Sequence, residues 1–153
     1  MHVGSKFYDL DTFRKGRTSL LPIEMAELGN VNRKRLLHLQ CHFGMETLSW
    51  TRMEAEVTGV DFSAESIKTA KTLSLELDLP ARFIESNIYD LGDVLVEKFD
   101  IVFTSYGVLV WLPDLNGWAK IISEHLESGG TFYIVESIQW RTAWTKRREN
   151  ASR

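Results

Sequence analysis

Phe99-Asp100-Ile101-Val102-Phe103-Thr104 is a run of six residues with one charge among them. It is too short for a typical helix and apolar on both of its alternating faces, as expected of a strand buried on both sides of a parallel sheet. Downstream, Asp114 to Leu126 is a predicted helix, with Leu115, Trp118, Ile121, Ile122 and His125 near one face. Gly129-Gly130 turns the chain into another strand, Thr131 to Val135. Strands joined by helical connections lie parallel, because antiparallel neighbours need only short turns.

Upstream of Phe99 the same alternation repeats. Arg35 to Leu39 is a strand, and Gly44 opens a helix through about Arg52 with Leu48 inside. Val57 to Val60 is a short strand ending at Asp61. Ser63 caps a helix whose stripe is Ile67, Ala70, Leu73 and Leu77, and Pro80 ends it. Arg82 to Glu85 is a third strand, and Asn87 to Glu97 is expected to be loop. Ahead of all this, Thr18 to Leu28 is a predicted helix stopped by Gly29-Asn30. With right-handed crossovers, five such strands make an α/β, doubly wound, Rossmann-like parallel sheet.

A chain of 153 residues and 17.6 kDa suits one domain. The expected divisions are an N-terminal helical segment over 1–34, a core over 35–136 and a basic tail over 137–153. Apolar residues make up 44% and charged residues 25%, which excludes a disordered polyelectrolyte. The net charge of −3 is unevenly spread. From Arg141 to Arg153 five basic residues face one acid, leaving 13 basic and 20 acidic residues in the body. Nucleic acid is therefore not an expected partner, and the basic tail is taken as a solvated terminus. Cys41 is the single cysteine, so no intrachain disulfide forms. No apolar run has membrane-spanning length, and Met1 to Lys6 lacks a signal core. The chain is expected to be cytoplasmic.

In doubly wound sheets ligands bind beyond the carboxyl ends of the strands. Four loops qualify: Gln40–Gly44, Asp61–Phe62, Ser86–Tyr89 and Ser105–Trp111. A helix N-terminus after a tight turn offers free N–H donors at Gly44, although the same glycine serves equally in a turn that lets helix and strand pack. Asp61 can accept both hydroxyls of a ribose or can cap the next helix. Phe62 offers a flat face to a base, or fills the core. Asn87 can read a base edge or form a turn. His38, Cys41 and His42 invite the question of a metal. His38 lies inside a strand and no fourth ligand is near in sequence, so no metal site is expected. The dinucleotide fingerprint needs three glycines where only Gly44 stands, which disfavours a nicotinamide-dependent dehydrogenase.

Taken together, the loops resemble those of class I S-adenosylmethionine-dependent methyltransferases from about Arg35 to Glu136. Val57-Thr58-Gly59-Val60-Asp61-Phe62-Ser63 is similar to that family's ribose strand, and Ala81 to Leu91 to its adenine-contacting segment. The strand Phe99 to Thr104, followed by Leu126-Glu127-Ser128-Gly129-Gly130, is the most specific part. Leu39-Gln40-Cys41-His42-Phe43-Gly44 also resembles a bacterial subgroup that carries this loop. The resemblance implies a strand order of 3-2-1-4-5 and S-adenosylmethionine as cofactor. It implies cofactor contacts at Gln40, Cys41, His42, Gly44, Asp61, Phe62, Asn87, Ile88 and Ser105. Asp61 would hold the ribose, Phe62 would flank the adenine, and Asn87 with the Ile88 backbone would read its edge. Gly44 and neighbouring amides would face the methionine end. The chain departs at three positions: His38 stands where the family has an acid, and Gln40 and His42 stand where it has glycines.

No nucleophile motif is present, which suits a reaction whose reactive carbon comes with the cofactor. Tyr106 is the one candidate for orienting an acceptor or moving a proton. Trp111, Trp140 and Trp144 are candidates for an apolar acceptor pocket. No Asn/Asp-Pro-Pro-Tyr/Phe motif follows the fourth strand, so a small-molecule acceptor is expected. The alternative is a non-catalytic cofactor-binding or interaction module. The family's sheet continues after strand five with a helix and an antiparallel hairpin, for which Ser137 to Arg153 is too short. The chain is accordingly expected to be C-terminally truncated, equivalent to the first two thirds of such an enzyme. It is also expected to self-associate through an exposed strand five.

Overall fold

The computed structural model describes residues 9–136. The expected basic tail, with Trp140 and Trp144, lies outside the described residues. Five parallel strands stand in the order β3-β2-β1-β4-β5. They are β1 (Arg35–Leu39), β2 (Glu56–Asp61), β3 (Arg82–Glu85), β4 (Phe99–Thr104) and β5 (Leu126–Ile134). The helices are α1 (Leu10–Arg14), α2 (Pro22–Leu28), α3 (Met45–Arg52), α4 (Ala64–Glu76), α5 (Leu91–Val94) and α6 (Leu115–His125). This is the doubly wound α/β sheet that the sequence implies.

Burial explains the central strands. β1 is covered on both faces: Leu37 and Leu39 join one apolar cluster with Val102, Trp118 and Ile121, while Leu36 joins another with Trp50 and Phe103. His38 lies on β1 between Thr47 and Ser105, fully buried yet hydrogen-bonded on both ring nitrogens (Nδ1 to Thr47 Oγ1 2.8 Å, Nε2 to Ser105 Oγ 3.2 Å). In register, Leu39 sits beside Val60 of β2 and beside Thr104 of β4. The carboxyl ends of these three strands therefore finish at one level, and the loops after them meet.

Several boundaries differ from the sequence expectation. The helix expected from Thr18 begins at Pro22, because the residue before a proline is pushed out of the helical region and Leu21 is extended at φ −82°, ψ 153°. Glu24 Oε2 accepts from Leu21 N–H at 2.9 Å and closes that first turn. α1 falls within the expected N-terminal helical segment but ahead of the one helix read there; Asp9 caps it and Phe13 is buried. The stretch 87–97, expected to be loop, holds a 3₁₀ turn at Ile88–Asp90 and α5, with Leu91 and Leu95 in the core. Leu115 faces solvent rather than the sheet. Asp61 is the last residue of β2 rather than the first beyond it. β5 begins at Leu126: Leu126 pairs with Phe99 and Thr131 with Ile101, and the glycine pair lies in the bulge between them.

Candidate active site

The turn after β1 is held in a conformation that usually belongs to glycine. Gln40, His42 and Gly44 all have positive φ, at 56°, 52° and 77°. Cys41 N–H donates to Val60 O and Gly44 N–H to Cys41 O, both at 2.9 Å, which pins the turn against β2. The two positions where the resembled family has glycines thus keep the left-handed backbone at the cost of strain, of the order of 1–3 kcal/mol each. Strain kept in a loop lining a cavity is one mark of a functional segment.

Asp61 ties this turn to the next. It is 7% exposed; Oδ2 accepts from His42 N–H and Oδ1 from Ser63 N–H, each at 2.9 Å. The carboxylate keeps further lone pairs on both oxygens for a ligand. The cap of α4 is Ser63 rather than Asp61, and Asp61 instead organises the two turns and lines the cavity. Phe62, next to it, is 78% exposed, so it is not a core residue and its ring is open to a stacking partner. Asn87 Oδ1 accepts from Tyr89 N–H at 3.0 Å and so caps the 3₁₀ turn.

These loops surround a cavity of about 480 Å³, within the usual size of small-ligand pockets of roughly 300–1,000 Å³. Of the expected site residues, Gln40, His42, Asp61, Phe62, Asn87, Ile88, Ser105 and Tyr106 line it together. Cys41 and Gly44 do not. The Cys41 side chain is buried in a cluster with Phe83, and burial raises its thiol pKa well above the ordinary value. The Gly44 N–H is spent within the turn, and the residue acts as the N-cap of α3 beneath Phe83. Of the two roles open to this glycine, packing of helix against strand is the one observed.

Ser105 and Tyr106 follow β4. The Ser105 hydroxyl is bonded to His38, which leaves the pair neutral: burial pushes the His38 pKa down to about 3. The Tyr106 hydroxyl is buried beside the Glu24 carboxylate. Burial first, and then the Glu24 carboxylate, raise its pKa, so it stays protonated and keeps a proton to donate. Beyond it, the amides of Gly107, Val108 and Leu109 donate to the Glu136 carboxylate at 2.9, 2.9 and 3.1 Å. Val110 and Trp111, 80% and 81% exposed, stand on the same loop, and Trp111 lines the cavity with Phe62.

Three contributors escaped the sequence. Glu46, in the first turn of α3, lines the cavity, and burial with help from Glu24 pushes its pKa up to about 7. Tyr89 lines it too, and its hydroxyl joins Asp114 at the start of α6, donating to the carbonyl at 3.0 Å and accepting from N–H at 3.2 Å. Glu136 holds the loop after β4. Among the described residues no group of three or more His, Cys, Asp and Glu could hold a metal, and no helix is long and apolar enough to cross a membrane.

A family model described as a methyltransferase domain matches residues 37–132. Ubiquinone biosynthesis O-methyltransferase of Proteus mirabilis is 24% identical over 146 residues, covering 93% of this chain and 59% of that protein. The enzyme of the same name from Alkalilimnicola ehrlichii is 30% identical over 103 residues, covering 67% of this chain and 41% of its own. The chain thus spans well under two thirds of these relatives. A solved S-adenosylmethionine-dependent methyltransferase from Clostridium acetobutylicum matches with a TM-score of 0.64 at 25% identity, over 73% of this chain and 46% of that one. A glycopeptide N-methyltransferase solved with S-adenosylmethionine matches in fold, with a TM-score of 0.64 at 20% identity over 73% of this chain and 51% of its own.

Proposed function

The chain belongs to the methyltransferase-domain family, and on that premise we propose that it binds S-adenosylmethionine in the cavity at the strand ends and serves methyl transfer to a small-molecule acceptor. The observation that carries the proposal is Asp61. One buried carboxylate, at the end of β2, is bonded to the amides of two loops and still opens onto a cavity with Phe62 and Asn87 beside it. That arrangement suits a ribose diol, with an aromatic face and an amide for the attached base. When bound, the cofactor supplies an electrophilic methyl carbon on sulfur. The protein's task is to position the acceptor and keep water away. Phe62, Trp111 and Leu112 give the cavity an apolar wall, which suits an acceptor with an apolar body. The relatives named as O-methyltransferases of ubiquinone biosynthesis make a hydroxyl oxygen the first acceptor to try. The family match leaves the dehydrogenase alternative without support.

Calorimetry with S-adenosylhomocysteine tests the cofactor reading. Asp61→Ala should weaken binding roughly ten- to hundredfold, the range for a lost hydrogen bond to a charged group. Unchanged affinity would remove Asp61 from the site, and preferential binding of NADH would overturn the cofactor assignment. Transfer of a labelled methyl group to a panel of small hydroxyl compounds separates an enzyme from a non-catalytic binding module.

Self-association is a further part of the proposal. β5 ends the described sheet, and its Phe132 is partly exposed despite an edge contact with Trp118. Light scattering over a concentration series should show a rising mean mass. A constant monomer mass would end this part.

A further inference from the structure

The resembled family carries an acid on its first strand, and this chain carries His38 there, buried and neutral. We infer that the missing negative charge has moved to Glu46 on α3, and that Glu46 with Gln40 receives the ammonium group of the cofactor's amino-acid arm. The inference rests on the cofactor reading above.

Four observations lead to it. Glu46 lines the cavity from the first turn of α3, the helix whose next residue, Thr47, bonds His38. Gln40 lines the same wall, and its Oε1 is buried without a hydrogen-bond partner. An ammonium has three N–H donors and needs acceptors of this kind. Behind them Glu24, fully buried and set against the Tyr106 hydroxyl, adds a second carboxyl near Glu46 and helps to raise its pKa. Finally, no lysine or arginine is among the described residues lining the cavity, whereas Glu46 and Asp61 are. Asp61 is already engaged by two backbone amides at the other end. The wall around Glu46 thus gathers carboxylates and a buried carbonyl oxygen with no basic side chain beside them, and a cation balances that charge.

Two neutral thioethers separate this role from adenosine binding. S-adenosylhomocysteine carries the amino-acid arm, and 5′-methylthioadenosine lacks it. With the full chain at neutral pH, Glu46→Gln should weaken S-adenosylhomocysteine roughly ten- to hundredfold and leave 5′-methylthioadenosine within about twofold. Glu46→Asp, which keeps the charge, should retain most of the affinity for the former. Asp61→Ala should weaken both ligands. Equal losses for both ligands in Glu46→Gln, including loss through misfolding, would overturn the inference, because the side chain would then not act on the arm. No loss for either would overturn it while the cofactor reading stands. Failure of the unaltered chain to bind either ligand would overturn the cofactor reading and the inference with it.

Discussion

Gly44→Ala should lower the unfolding free energy by about 2–5 kcal/mol. Two costs add. At φ +77° the backbone is left-handed, and a Cβ there costs about 1–2 kcal/mol. That Cβ would also lie 2.7 Å from Phe83 Cε1 and 3.0 Å from Ala70 Cβ, and overpacking of a filled core costs roughly 1–3 kcal/mol. The Phe83 ring has little room to withdraw, because it already stands against Gly59 and Cys41 in the cluster under α4. Urea unfolding at neutral pH measures the change. A loss below about 1 kcal/mol would show that the turn relaxes, and that the α3–α4 packing is softer than the contacts imply.

The second large effect is an acid sensitivity carried by His38. Burial holds its folded pKa near 3, against 6.5 for an exposed imidazole. The stability this gives is complete above pH 6.5 and drains away as the pH falls towards 3, because the unfolded chain takes up a proton that the folded one refuses. At pH 4.5 the loss is about 2.7 kcal/mol, from 1.36 kcal/mol per unit. Glu46 works in the opposite direction. Its pKa is raised to about 7, so its contribution grows as the pH falls from 7 towards 4.5, and Glu24 shifts in the same direction. The pH curve of the unaltered protein therefore mixes opposing terms. The difference between it and His38→Gln isolates the histidine: that difference should move by about 2–3 kcal/mol between pH 7 and 4.5, in favour of the variant at acid pH. An unchanged difference would mean that His38 ionises in place.

The two predictions also mark where sequence was informative. β1 and β4 were legible to the residue because strands buried on both faces are runs of apolar side chains, and β3, an edge strand, because Pro80 and Asn87 bracket it. Gly44, Ser63 and Asp114 were legible as helix starts because their local chemistry is fixed by the turn. The helix start at Pro22 was missed although the proline was in plain view, since the spacing of Leu20 and Leu21 mimics helical periodicity. Asp61 and Asn87 stood out because acids and amides at strand ends are conspicuous. Glu46 did not, because an acid in the first turn of a helix is ordinary for reasons of dipole alone. Its difference lies in what surrounds it, and Glu24 arrives from a helix twenty-two residues away in sequence. Glu136 was invisible for the same reason, its three partners being backbone amides with no sequence signature.

That last carboxylate has a kinetic consequence. Because one side chain just past β5 accepts from Gly107, Val108 and Leu109 together, the three amides cannot open to solvent one at a time without leaving charge half-solvated. They should exchange hydrogen with water at closely similar rates, as one cooperative unit. Those rates should track the fraying of the end of β5, where the Val135 N–H reaches Thr104 O at only 3.5 Å. The loop bearing Trp111 then moves when the sheet's last strand loosens, and the residence time of whatever occupies the cavity is set partly by a strand that does not line it.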